Sequence, residues 1–136
     1  MSPSESRPGS PDGGSGQPGR DEGRDPTTDP IHRRLSDLAT FAREAAYVTA
    51  RGRAAYLADD AEGALLRNAG ERILIKVATV VEKLPQDFKD QHDDIDWVGI
   101  SRMRNLVAHH YDRVRDDMMW AALENRIPAL AGRLAL

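Results

Sequence analysis

Apolar positions first become regular at Ile31. From there Ile31, Leu35, Leu38, Ala42, Ala45 and Ala46 recur at spacings of three and four residues, the period of an amphipathic helix. Gly52 marks a place for that helix to stop. Asp59, with Glu62 three residues on, reads as the next start, because such acids satisfy first-turn amides. Leu65, Ala69, Ile73, Val77, Val80 and Leu84 then form a second stripe, closed by Pro85. A polar connector, QDFKDQHDD, leads to a third predicted helix from about Asp96 through Val107. A fourth is predicted from near Asp116 through Met119, Trp120, Leu123 and Ile127. Pro128 is expected to kink or restart it, since proline lacks the amide and crowds the preceding turn. No segment alternates with a period of two, and no internal repeat is present. The pattern predicts an all-α domain, most economically an up-and-down four-helix bundle. Its core would be small and alanine-rich, so a dimer would help stabilise it.

Ahead of Ile31 the composition changes. Residues 1–30 hold six of the eight prolines, six of the eleven glycines and five serines, with Met1 their one large apolar side chain. Such a stretch buries too little surface to offset its chain entropy, and a disordered tail is expected there. Residues 31–136 are expected to form the one folded domain of this 136-residue chain. The tail sets three arginines against six acids and so carries the whole formal charge of −3; the domain balances to zero. A globally basic nucleic-acid coat is thereby excluded, and any polyanion must be held by a local patch. The absence of cysteine excludes disulfide frameworks, thiolate metal sites and cysteine nucleophiles. No apolar run is long enough to span a membrane, and the first residues lack the order of a signal peptide. A soluble, cytoplasmic protein is expected.

The local patch is Ser101 to Asp117, SRMRNLVAHHYDRVRDD. It concentrates Arg102, Arg104, Arg113 and Arg115 with His109, His110 and Tyr111, opposed before Asp116 only by Asp112. Guanidinium meets phosphate in a planar, bidentate fashion. Imidazole, with an unperturbed pKa of about 6.5, suits proton transfer at neutral pH. Together they are what metal-independent RNA cleavage requires: one group to move a proton of the 2′-hydroxyl or the leaving 5′-oxygen, another to hold charge on the phosphoryl oxygens. Helical geometry complicates the pairing. Tyr111, two turns after Arg104, shares its face, whereas His109 is rotated from it by about 140°. Either the chain leaves helical geometry near His109, or the site combines residues across a dimer axis; we expect a helix ending near His109, followed by a turn, together with dimerisation. No HEXXH, glycine-rich phosphate loop or GXSXG elbow is present. Neither a metal site nor a cofactor is expected.

The segment DIDWVGISRMRNLVAHHYDRV, Asp94 to Val114, resembles the signature of HepT-like toxins in the HEPN ribonuclease superfamily. Arg104, Asn105, His109 and Tyr111 match its Arg-Asn pair followed by His-X-Tyr, and Trp97 matches its upstream tryptophan. The resemblance covers roughly residues 31–136. It implies a HEPN-like helical-bundle homodimer with two copies of the motif facing an interfacial cleft. It further implies a metal-independent RNA endonuclease, the toxin of a type VII-like toxin–antitoxin pair. The partner would be an MntA-like minimal nucleotidyltransferase that transfers AMP to Tyr111. In that frame Arg104 clamps the phosphate, His109 is the general acid or base, and Asn105 orients them. Arg102, Arg113 and Arg115 are assigned, from charge alone, to steering RNA. The chain departs from the family in three places: Asp112 where an aromatic commonly stands, Arg102 where glycine is frequent, and Ala78-Thr79 where relatives often carry Gly-Glu.

A second reading keeps the helical dimer but not the chemistry: an interaction module that binds a nucleotidyltransferase or nucleotide. A helix-turn-helix DNA binder would rest on the arginines alone, and the neutral domain argues against it.

Overall fold

In the computed structural model, residues 29–108 and 113–136 are described, and every regular element among them is helical. Packing divides the chain into Met1–Arg33 and Arg34–Leu136. Of the first unit only residues 29–33 are described, the opening of helix α1 (Pro30–Thr49). There the Asp29 carboxylate accepts from the Ile31 amide at 2.9 Å, satisfying one of the donors that a helix start leaves unpaired.

Within the second unit α1 buries Leu38, Ala45 and Val48, with Leu35, Phe41 and Ala42 packed beside them. The helix stops where the sequence predicts. Gly52 follows with φ 93° and ψ 151°, a conformation that L side chains rarely adopt. A short helix that periodicity does not reveal, α2 (Arg53–Leu57), then carries Tyr56 into the core at 0 % exposure.

Helix α3 (Ala61–Lys83) is the central element, packed against α2 and against the later helices. Its cap is Asp60, one residue beyond the Asp59 expected: the Asp60 carboxylate accepts from Gly63 N at 2.8 Å. Glu62 instead pairs with Arg51, which follows α1. The buried stripe also differs at its start. Leu65 is 68 % exposed and Ala69 is exposed, and the core face runs through Gly63, Gly70, Ile73, Leu74, Val77, Ala78, Val80 and Val81. The physical reason is Gly70, which lets the Tyr56 ring and Leu123 approach the α3 backbone. A Cβ there would stand 2.7 Å from the Tyr56 hydroxyl and 2.8 Å from Leu123 Cδ1. Both groups are fully buried, so the clash costs about 1–3 kcal/mol against a helix-propensity gain of about 1 kcal/mol. Gly70→Ala is therefore expected to be net destabilising, with a lower urea midpoint at unchanged m-value; a raised midpoint would refute this packing.

Leu84, extended at φ −68° and ψ 139°, ends α3 before Pro85 as expected. The connector contains a further short helix, α4 (Gln86–Asp90). The third predicted helix exists as two pieces, α5 (Trp97–Ser101) and α6 (Met103–Ala108), joined at Arg102. Beyond the residues not described, α7 (Arg113–Ala121) leads into a π-helical turn, Ala122–Arg126, and then α8 (Ile127–Arg133). Pro128 thus sits in the first turn of α8 and does not break the run. The π-helical turn just before it widens the helix where the proline ring would meet the carbonyl four residues back. The core closes on Met119, Trp120, Leu123, Ile127 and Leu130 from these last elements. Among the described residues no helix is long and apolar enough to cross a membrane.

Candidate active site

The residues around Trp97 fix the entry to the site. The Asp96 carboxylate caps α5 by accepting from Gly99 N at 2.9 Å. The Trp97 indole N–H points back and donates to the carbonyls of His92, at 3.0 Å, and Lys89, at 3.2 Å. Its ring meets Phe88 edge-on, with centroids 6.4 Å apart. Connector and helix start are thereby held as one piece. Ile100 and Met103, both 3 % exposed, anchor α5 and α6 on the core.

With Met103 inward, Arg104 reaches across to α3. Its Nη2 donates to Thr79 Oγ1 at 2.8 Å, and its Nη1 lies 3.0 Å from both carboxylate oxygens of Glu82. The guanidinium plane is therefore set by two side chains one turn apart on α3, and the side chain keeps 42 % exposure. It faces an open groove of about 760 Å³, also lined by Asn105, Arg102, Ser101 and Lys89. Thr79, where the sequence departs from the family pattern, is thus a direct partner of Arg104. Glu82 was missed by sequence reasoning; its one signal is that it lies a turn beyond Thr79 and shares its face.

The other candidates divide. Asn105 and Arg102 are exposed, and Arg102 also borders a second depression of about 640 Å³ floored by Met103, Leu106 and Met118. Arg113 is exposed at the start of α7. Arg115 corrects the expectation that it steers RNA. It is 4 % exposed, and its guanidinium donates to Glu71 at 2.9 Å, to Asp116 at 3.3 Å and to the Val107 carbonyl at 3.2 Å. Burial works against its charge, but the two carboxylates outweigh this and raise its pKa. A cation so enclosed offers RNA no surface. His109 and Tyr111, with the intervening His110 and the following Asp112, lie outside the described residues. Among the described residues no group of three or more His, Asp or Glu side chains is arranged to hold a metal ion.

Two curated relatives are similar to this chain over part of their length. A protein of Methanocaldococcus jannaschii named as an RNase is 30 % identical over 57 residues, 42 % of this chain and 47 % of the relative. A protein of Thermococcus cleftensis named as a ribonuclease HepT is 32 % identical over 62 residues, 46 % of this chain and 56 % of the relative. The matched stretches thus span about half the length of these curated relatives. No solved structure gives a significant match. The family described as Ribonuclease HepT-like matches residues 31–135, nearly the whole of the chain that follows the proline- and glycine-rich stretch, and the chain belongs to that HepT-like family.

Proposed function

We propose that residues 31–136 form a metal-independent RNA endonuclease domain that acts in the cytoplasm as a homodimer. It would be the toxin half of a type VII-like toxin–antitoxin pair. The observation that carries the reading is the Arg104 guanidinium, oriented by Thr79 and Glu82 at the edge of a groove that also holds Asn105, Arg102 and Lys89. A phosphodiester laid in that groove meets a fixed donor pair. An exposed ion pair is worth about 0–1 kcal/mol, so a phosphate displaces Glu82 from Arg104 at little cost.

His109 then takes the 2′-hydroxyl proton, or supplies one to the departing 5′-oxygen. The 2′-oxygen attacks phosphorus, the bond to the 5′-oxygen breaks, and a 2′,3′-cyclic phosphate and a 5′-hydroxyl result. Arg104 holds the charge that grows on the non-bridging oxygens. Asn105 orients the pair, and Arg102 and Arg113 draw RNA toward the groove. Tyr111 is the acceptor of AMP from an MntA-like nucleotidyltransferase. The adduct places a phosphodiester where it competes for Arg104 and blocks the groove.

The test is incubation of the purified protein with total cellular RNA in excess EDTA, beside His109→Ala prepared identically. Cleavage by the wild type and none by the variant is the expected result. RNA left intact by a folded protein free of AMP on Tyr111 overturns it and leaves the binding module, a helical dimer that recognises a nucleotidyltransferase or nucleotide, as the better account.

A further inference from the structure

Arg102, at the joint between α5 and α6, lines two depressions. One is the groove that holds Arg104. The other, of about 640 Å³, is bordered by α5 and α6 on one side and by α7 and the π-helical turn on the other. Its floor is Met103, Leu106 and Met118, and Met118 is 51 % exposed. Around that floor stand Arg102, Asn125 and Arg126, all exposed. Among the described residues no side-chain hydrogen bond or ion pair engages any of these three. Arg51, Arg53, Arg104, Arg115 and Arg133, by contrast, each meet a carboxylate. The acid on this rim, Asp96, has its carboxylate engaged in capping α5 through Gly99 N at 2.9 Å.

The local chain builds the rim. A π-helical turn takes in one residue more than an α-helical one, and such turns recur at functional sites; this one carries Asn125 and Arg126. Gly99 admits the Arg126 guanidinium against α5, since a Cβ there would stand 2.7 Å from Arg126 Nη1. An apolar floor with a few convergent polar groups, enclosing about 300–1,000 Å³, is the form that small-ligand sites take. Two guanidiniums without a counter-charge select an anion, and their planar donors suit phosphate. Methionine sulfur and leucine methyls accept the face or edge of a flat ring.

We propose that this depression is a nucleotide subsite, in which Arg102 and Arg126 hold a phosphate and the attached base lies on Met103, Leu106 and Met118 with Asn125 at its edge. Because Arg102 borders both depressions, the occupant is a further nucleotide of the strand whose scissile phosphate meets Arg104. Its part in cleavage rests on the nuclease reading above; its occupancy does not.

The test is an NMR titration of protein labelled at the methionine methyl groups, with a 2′-O-methyl oligoadenylate, which lacks the hydroxyl that cleavage needs. Met103→Leu and Met118→Leu assign the signals. The Met103 and Met118 methyls should shift under the ring current of the base, while that of Met119, 0 % exposed, stays. Arg126→Gln should abolish those shifts and weaken the oligonucleotide by about tenfold, as loss of one charge-assisted contact does. Its log–log salt slope should fall by about 0.7, one single-strand phosphate contact. In cleavage Arg126→Gln should raise KM at unchanged kcat, the mark of a contact made equally in ground and transition states. Binding that leaves Met103 and Met118 unmoved overturns the subsite and spares the Arg104 groove. Shifts that follow protein concentration and not oligonucleotide also overturn it, and make this face a contact between two copies. If adenosine monophosphate moves both signals and the oligonucleotide does not, the assignment to the strand is overturned. Oligonucleotide-dependent shifts in a wild type that cleaves nothing support the subsite while the nuclease reading fails alone. An oligonucleotide that does not bind overturns both.

Discussion

Arg104→Ala is expected to lower the rate of RNA cleavage by about 10²–10³-fold, the usual effect of removing a preorganised donor from a charge-stabilising site. The magnitude follows from how the guanidinium is held. Thr79 takes one amino group and Glu82 the other, so the plane stands ready before any phosphate arrives and little reorganisation accompanies reaction. Arg104→Lys should bind RNA but recover little rate, because a lysine ammonium has no fixed fork to share between Thr79 and a phosphoryl oxygen. Glu82 has the opposite sign of effect on binding. Its carboxylate competes with phosphate for Arg104, so Glu82→Gln should tighten RNA and steepen the salt dependence by about 0.7 in log–log slope, the contribution of one more single-strand phosphate contact. Cleavage assays across a salt series check all three variants together. Wild-type rates in Arg104→Ala would remove this residue from the chemistry.

The parts of this protein that sequence made legible are those set by local period. The stripes on α1 and α3 announced two long helices, and Gly52 and Pro85 announced where they stop. The helices α2 and α4 span five residues each, too short for a period of 3.6 to register. Gly70 was invisible for a different reason. It contributes nothing to a hydropathy pattern, yet its missing Cβ is what admits Tyr56 and turns the core face of α3 away from Leu65. Arg115 failed most instructively. Along the chain it is one arginine among four, and nothing local to it announces Glu71, a partner 44 residues away in sequence that receives its guanidinium in the interior. Likewise the acceptors that orient Arg104 lie 25 and 22 residues upstream. Identity and spacing selected the residue types for the site; which arginine faces a groove and which is buried is decided by pairings no local pattern contains.

Trp120→Ala should be the most damaging substitution for stability. The indole is 4 % exposed and leans on the Tyr56 ring, with centroids 5.2 Å apart and planes tilted by 48°. Loss of a buried tryptophan costs about 3–5 kcal/mol, out of the roughly 5–15 kcal/mol that hold a domain together. For a domain near 100 residues, 3 kcal/mol lowers Tm by at least about 12 °C. Among the described residues neither the Trp120 indole nitrogen nor the Tyr56 hydroxyl has a hydrogen-bond partner, so packing and ring contact carry the pair. Tyr56→Phe should accordingly be neutral or stabilising near pH 7, since it removes a buried hydroxyl that has no partner among the described residues. Alkaline pH separates it further from the wild type. Burial, reinforced by the Asp116 and Glu71 carboxylates, pushes the Tyr56 phenol well above its ordinary value. The folded protein therefore keeps this proton where the unfolded chain has released it. The stability that the neutral phenol contributes is complete below about pH 10. Above that it falls by about 1.4 kcal/mol per pH unit until the folded phenol ionises in turn. Tyr56→Phe lacks this loss, so the stability difference between variant and wild type should widen from pH 10 upward in urea unfolding. Parallel curves across that range would show that Tyr56 ionises as freely in the folded protein as in the unfolded chain, and would remove it from beneath Gly70 and Trp120.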